Sequence, residues 1–345
     1  MQLLLTWRFW RRVSLIGLIL LSFLVALLWQ RLQTPHQLTL PKNTPVETTT
    51  VREPIQPIPV AIALNQNKVA LGKQLFQDVR FSKDNRVSCL SCHNFSMGGA
   101  DRKAYSTGVN GAVGIVNTPS VFNAAFNFRL NWDGKFDNLS SHLDGLMQNP
   151  LALGSRWDEV VNKLRQSTQY KQAFAGIYPN GLTQDNIKDA LIAYEQSLYT
   201  PNSRFDQFLR GNKQALTAAE QKGYQMFKTY GCVSCHQGMN VGGNMFQKFG
   251  VIGDYFANRG NITPADFGRY NVTKDEADRY VFRVPSLRNV GVTPPYFHDG
   301  SAKTLEDAIA VMAKYQLGRP LAKAQINLIA KFLDSLTGEY QGKSL

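Results

Sequence analysis

Cys89-Leu-Ser-Cys92-His93 and Cys232-Val-Ser-Cys235-His236 hold all four cysteines of this 345-residue chain. Each is a pair of thiols two residues apart with a histidine directly after, the attachment pattern of a c-type haem. The thiols add to the haem vinyl groups, and the adjacent imidazole then reaches the iron from the proximal side. A redox-active C-x-x-C pair needs no trailing histidine. A zinc site of four thiolates would leave both histidines unexplained and would span a gap far wider than a zinc ribbon uses. The motifs therefore read as two covalent haems attached at Cys89, Cys92, Cys232 and Cys235, with His93 and His236 as proximal iron ligands.

The sequence around the two motifs is duplicated. Gly72-Lys-Gln-Leu-Phe76 precedes the first and Gly223-Tyr-Gln-Met-Phe227 the second, both in helical patterns. Thr217-x-x-Glu220 is a capping box for the second helix. Ile187, Leu191, Tyr194 and Leu198 form an apolar helical stripe after the first haem region, and Ile326, Ile329, Leu333 and Leu336 form one after the second. A helix before each haem and one packed behind it is the small cytochrome c plan. The expected fold is mainly α: two cytochrome c-like domains, 60–202 and 203–345, each binding one covalent haem, with long irregular loops rich in Gly, Asn and Pro.

Val13 to Trp29 is an apolar run without a charge, preceded by Arg8, Arg11 and Arg12. The bulky residues that follow offer no small-x-small cleavage site, so residues 1–33 read as an uncleaved signal anchor or transmembrane segment. A cleaved signal peptide is the alternative. Either way the chain is expected on the periplasmic side of a bacterial inner membrane, where haem is attached. Residues 34–59, with six prolines and a Thr48-Thr49-Thr50 run, read as an extended linker. The formal charge of +13 is dispersed rather than blocked, and no motif supports nucleic-acid binding. An acidic redox partner or anionic headgroups suit that charge better.

Beyond the haem motifs the chain resembles the bacterial dihaem cytochrome c peroxidases from about residue 55 to 340. The matching stretches are Ser88-Cys-Leu-Ser-Cys-His93, Gly114-Ile-Val-Asn-Thr-Pro-Ser-Val-Phe-Asn123, Asn131-Trp-Asp-Gly134, Thr200-Pro-Asn-Ser203, Arg283-Val-Pro-Ser-Leu-Arg-Asn289 and Pro295-Tyr-Phe-His-Asp-Gly-Ser301, followed by Met312. The resemblance implies that the C-terminal haem is the electron-transfer site, held by His236 and Met312, a thioether raising the iron potential. His298 is the rival ligand; shaping the pocket or bonding a propionate is its other reading. The N-terminal haem, on His93, would be the peroxide site, and Trp132 would carry electrons between the two. A calcium ion is implied between the domains, taking the Asn117 side chain and the Thr293 and Pro295 carbonyls. Hydrogen peroxide would be reduced to water with electrons from a small cytochrome, a copper protein or a quinol. Relatives are dimers.

The chain departs from the family on the distal face of the peroxide haem. Val109 falls where many relatives place a removable histidine ligand, which implies a site open without reductive activation. Ala152 occupies the position of the family's distal glutamate. His142 stands where relatives have a glutamine in the same pocket, and an imidazole is a competent general base near neutrality. We expect His142 to take over the proton transfer; a hydrogen bond to a loop carbonyl is its other reading. The loss of the glutamate also admits a non-enzymatic electron relay or peroxide sensor. The family includes an enzyme that matures a tryptophylquinone, so an oxidase acting on another substrate is a further alternative. Met312, where that branch has tyrosine, argues against it.

Overall fold

The computed structural model describes residues Glu53–Leu345. The segment read as a signal anchor and the first part of the linker lie outside the described residues. Among those described, no helix is long and apolar enough to cross a membrane.

The chain is mainly helical, as expected. Helices of eight residues or more are α1 (Gln66–Phe76), α2 (Leu139–Gln148), α3 (Trp157–Arg165), α4 (Thr168–Ala175), α5 (Gln184–Ser197), α6 (Ala218–Thr229), α7 (Leu305–Tyr315) and α8 (Lys323–Asp334). Strand structure amounts to two antiparallel ribbons. Strands β1 (Phe246–Lys248) and β2 (Val281–Arg283) pair with Phe246 opposite Arg283, and Glu339–Tyr340 pairs with Lys343–Ser344.

The helices start where side chains can satisfy free amides. Asn65 caps α1 by accepting from the amides of Asn67 and Lys68. Thr217 and Glu220 close the expected capping box on α6, the Thr217 amide donating to the Glu220 carboxylate at 2.8 Å. Thr304 caps α7.

The sequence repeat is a structural repeat. Helix α1 crosses α5, and α6 crosses α8. At each crossing a glycine lets the backbones touch: a Cβ on Gly72 would sit 2.0 Å from the Ala190 carbonyl oxygen, and one on Gly223 1.9 Å from that of Leu328. The expected stripes are buried at these crossings, with Ile326 only partly so and Leu336 just past the end of α8. One apolar cluster runs through Leu71, Phe76, Leu191 and Tyr194, and another through Phe205, Tyr224, Phe227 and Phe332.

Two segments depart from a simple division of the chain. Residues 53–59, the end of the expected linker, are packed rather than extended in solvent. Ile55 and Ile58 are fully buried, the Ile58 amide donates to Asp206 and Arg288 donates to the Gln56 carbonyl. Two large apolar side chains outweigh the Pro-rich context here. Tyr340, far along the second half, stacks on Phe95 and Phe122 of the first half at 5.4 and 4.9 Å between ring centroids.

Candidate functional site

The two Cys-x-x-Cys-His motifs adopt nearly the same local geometry. A short helical turn spans Cys89–Cys92, with Ser88 and Ser91 capping it, and a 3-10 turn starts at Cys232. The amides of His93 and His236 each bond back to the first cysteine's carbonyl at 3.0 Å. Each imidazole then points Nδ1 at a backbone carbonyl: His93 at Gly99, 3.1 Å, and His236 at Val241, 3.3 Å. A carbonyl only accepts, so Nδ1 carries the proton and Nε2 keeps its lone pair for a metal. Burial lowers the pKa of both imidazoles, that of His236 to about 4, so both are neutral at pH 7. The rings of Phe76 and Phe227 flank them at 6.3 and 6.4 Å.

No disulfide joins the cysteines. Burial pushes the Cys89 thiol up to about 12 and Cys232 up to about 11, so both are protonated thiols at pH 7. Among the His, Cys, Asp and Glu side chains of the described residues, only Asp266, His298 and Asp299 form a group of three tight enough to chelate an ion, and Arg259 pairs with both carboxylates. The four thiols are free, as covalent attachment of haem at both motifs would need.

Beside His236 lies a cavity of about 270 Å³ that Met312, Trp132, His298, Asn117, Thr293 and Pro295 also line. The structure thus gathers the expected distal methionine, the aromatic relay and the three expected calcium ligands in one space. Asn117 is the knot between them. Its carbonyl accepts from Trp132 Nε1 at 2.8 Å, its amide donates to the His298 carbonyl at 2.7 Å, and its side-chain amide donates to Lys103. That last bond leaves Oδ1 free for a cation. His298, the rival ligand, is buried with Nε2 2.7 Å from Asp266 Oδ1. Bonds from His298, Arg259 and Thr263 hold the Asp266 carboxyl far below its ordinary range despite burial. His298 is thus held by Asp266 as an anchor of the fold, and Met312 lines the same cavity as His236.

On the other side, Val109 and Ala152 meet: the Val109 amide donates to the Ala152 carbonyl at 2.8 Å, and the Val109 side chain is buried. His142 on α2 stacks edge-on against Phe136 at 5.4 Å, and its Nδ1 is buried without a partner. No loop carbonyl takes its proton. Burial first, then electrostatic interaction with His93 and Arg283, lowers its pKa to about 4.

Sequence reasoning missed Arg283 and Glu195. Arg283 is buried, with Nη1 unpartnered. Glu195 on α5 is buried near Cys89, and burial alone pushes its carboxyl up to about 8 from 4.5. The folded protein keeps this proton through neutrality while the unfolded chain releases it. Stability is therefore fully present below about 4.5 and is lost as pH rises toward about 8. Glu195→Gln is expected to flatten that decline, which thermal unfolding at about pH 5 and about pH 8 would show.

A family model described as di-haem cytochrome c peroxidase matches residues 66–214. The chain is 45% identical over 289 residues to cytochrome c peroxidase Ccp of Escherichia coli (strain K12), covering 84% of this chain and 62% of that protein's length. It is 42% identical over 288 residues to cytochrome c551 peroxidase of Nitrosomonas europaea, covering 83% of this chain and 85% of that one. A crystal structure of a MauG-like protein associated with microbial copper homeostasis superimposes with a TM-score of 0.71 at 27% identity, covering 88% of this chain and 95% of that one.

Proposed function

The chain belongs to the di-haem cytochrome c peroxidase family of oxidoreductases, and from that premise we propose that it reduces hydrogen peroxide to water in the periplasm. Electrons from a small cytochrome, a copper protein or a quinol would enter on the His236 and Met312 side and reach the His93 side past Trp132. Haem, when bound at the two motifs, supplies one-electron chemistry and the iron at which peroxide is cleaved.

The observation that carries the reading is the buried, unpartnered Nδ1 of His142. A neutral imidazole accepts the proton of hydrogen peroxide and returns it to the oxygen that leaves as water, which alanine at position 152 cannot do. The lowered pKa keeps His142 neutral at pH 7 and ready for that first transfer. The shared cavity of His236 and Met312 supports them as an axial pair, and the Trp132 bond to Asn117 supports a rigid relay between the two cytochrome c-like halves.

A calcium ion held by Asn117 Oδ1 and the Thr293 and Pro295 carbonyls fits the same reading, because oxygen ligands with few carboxylates suit a hard cation. Purified protein is expected to hold one calcium ion per chain by elemental analysis, and Asn117→Ala to lose it. A variant that kept its calcium would remove Asn117 from the site.

Ala152 favours a second reading, an electron relay or peroxide sensor on the same frame. Rapid mixing of the half-reduced protein with hydrogen peroxide, following both haem spectra, separates the two. Fast peroxide-dependent oxidation of the Met-ligated haem is expected. A rate no faster than bare haem would leave the relay or sensor.

A further inference from the structure

The chain buries two arginines to the same degree, Arg283 and Arg288, each 4% exposed. Arg288 is fully answered: Nη1 pairs with Asp206 at 2.8 Å, Nε donates to Met239 and Nη2 to Gln56. Among the described residues Arg283 has no carboxylate partner. Its Nε donates to the Asn131 carbonyl at 3.1 Å, and Nη1 is buried with no acceptor. Asp133 attracts it through space but makes no hydrogen bond or ion pair with it, so Nη1 is left without an acceptor. Removing a buried charge's counter-ion is strongly destabilising, so a guanidinium in this position calls for an anion that the polypeptide does not supply.

Where Arg283 sits says which anion. It lines the cavity shared by His236, Met312, Trp132 and His298. Its amide donates to the Trp132 carbonyl at 2.8 Å, and Nε holds the carbonyl of Asn131 just before it. Its charge also reaches His142 on the other side. The only carboxylates that enter this space with the cofactor are the haem propionates, and a guanidinium is the side chain whose planar fork matches a carboxylate. We propose that Arg283 binds a haem propionate through Nη1 and, by its bonds to Asn131 and Trp132, ties that propionate to the relay tryptophan. Arg283 is thus a positioning residue for Trp132 as well as a cofactor ligand. The inference rests on the two-haem reading above.

A cation beside a haem favours its reduced form, so removing it lowers the midpoint potential. In haem-loaded Arg283→Gln, a redox titration is expected to show one haem whose reduction constant falls about tenfold, about 59 mV for one electron. The other haem moves less, and Arg283→Lys recovers most of the shift. Two titrating haems with unchanged potentials in Arg283→Gln would overturn the inference and leave the two-haem reading intact. So would a Lys variant no closer to the parent than Gln, since packing rather than charge would then be at work. Fewer than two titrating haems in the parent protein would overturn the two-haem reading itself. If Arg283→Gln does not load haem, resonance Raman of Arg283→Lys decides: a displaced propionate bending band supports the contact, and an unchanged band overturns it.

Discussion

His142→Ala is expected to lower peroxide turnover by about 10²–10⁴-fold, the usual contribution of a positioned proton-transfer group. The loss should fall on kcat/KM while both haems keep their spectra, because His142 sits on α2 and belongs to neither Cys-x-x-Cys-His motif. His142→Gln should not rescue the rate, since an amide cannot take a proton. The pH profile adds a second signature. An ordinary histidine, near 6.5, would lose its neutral form just below neutrality. His142, lowered to about 4, stays neutral until the pH approaches that value, so the acid limb of wild-type turnover is expected near 4 and should vanish in the variant. That value lies close to an ordinary glutamate's, about 4.3, so burial gives this imidazole the proton affinity of the acid that Ala152 replaces. Unchanged turnover in the alanine variant would take His142 out of the reaction.

Gly223→Ala is expected to cost about 3 kcal/mol of stability or more, and Gly72→Ala a similar amount. Alanine would gain about 1 kcal/mol of helix propensity at either position. That gain is outweighed because the new methyl would lie 1.9 or 2.0 Å from a main-chain oxygen of the facing helix, which must then move away along its length. Separating α6 from α8 would also loosen Phe227 against Phe332, now 5.1 Å apart, and with it the ring beside His236. Chemical denaturation of each variant checks the figure; parent-like stability would mean that the helices can part freely.

The parts legible in the sequence were those that local pattern encodes. The thiol and histidine spacing, the duplicated Gly and Phe, the Thr217 cap and the apolar stripes are all local patterns, and the helices follow them. What was not legible depends on contacts between distant positions. Nothing near Arg283 in the chain says that its partner is missing, because Asp133 stands close enough to attract it but not to bond it. Proline-rich composition hid Ile55 and Ile58, whose burial rests on Asp206 and Arg288 far along the chain. The family resemblance placed Asn117 at the calcium, but only the fold shows that it also ties Trp132 to His298. The resemblance singled out His142, yet the depth of its burial, and hence its basicity, is a tertiary property.

Tyr340, seated on Phe95 and Phe122, sets an order of assembly. A polypeptide made from its N-terminus delivers Cys89 and Cys92 early, but the ring that covers Phe95 and Phe122 arrives only after the entire second half. Until then the first-half core lacks one of its aromatic partners, so this contact ties the finish of the first half to completion of the second.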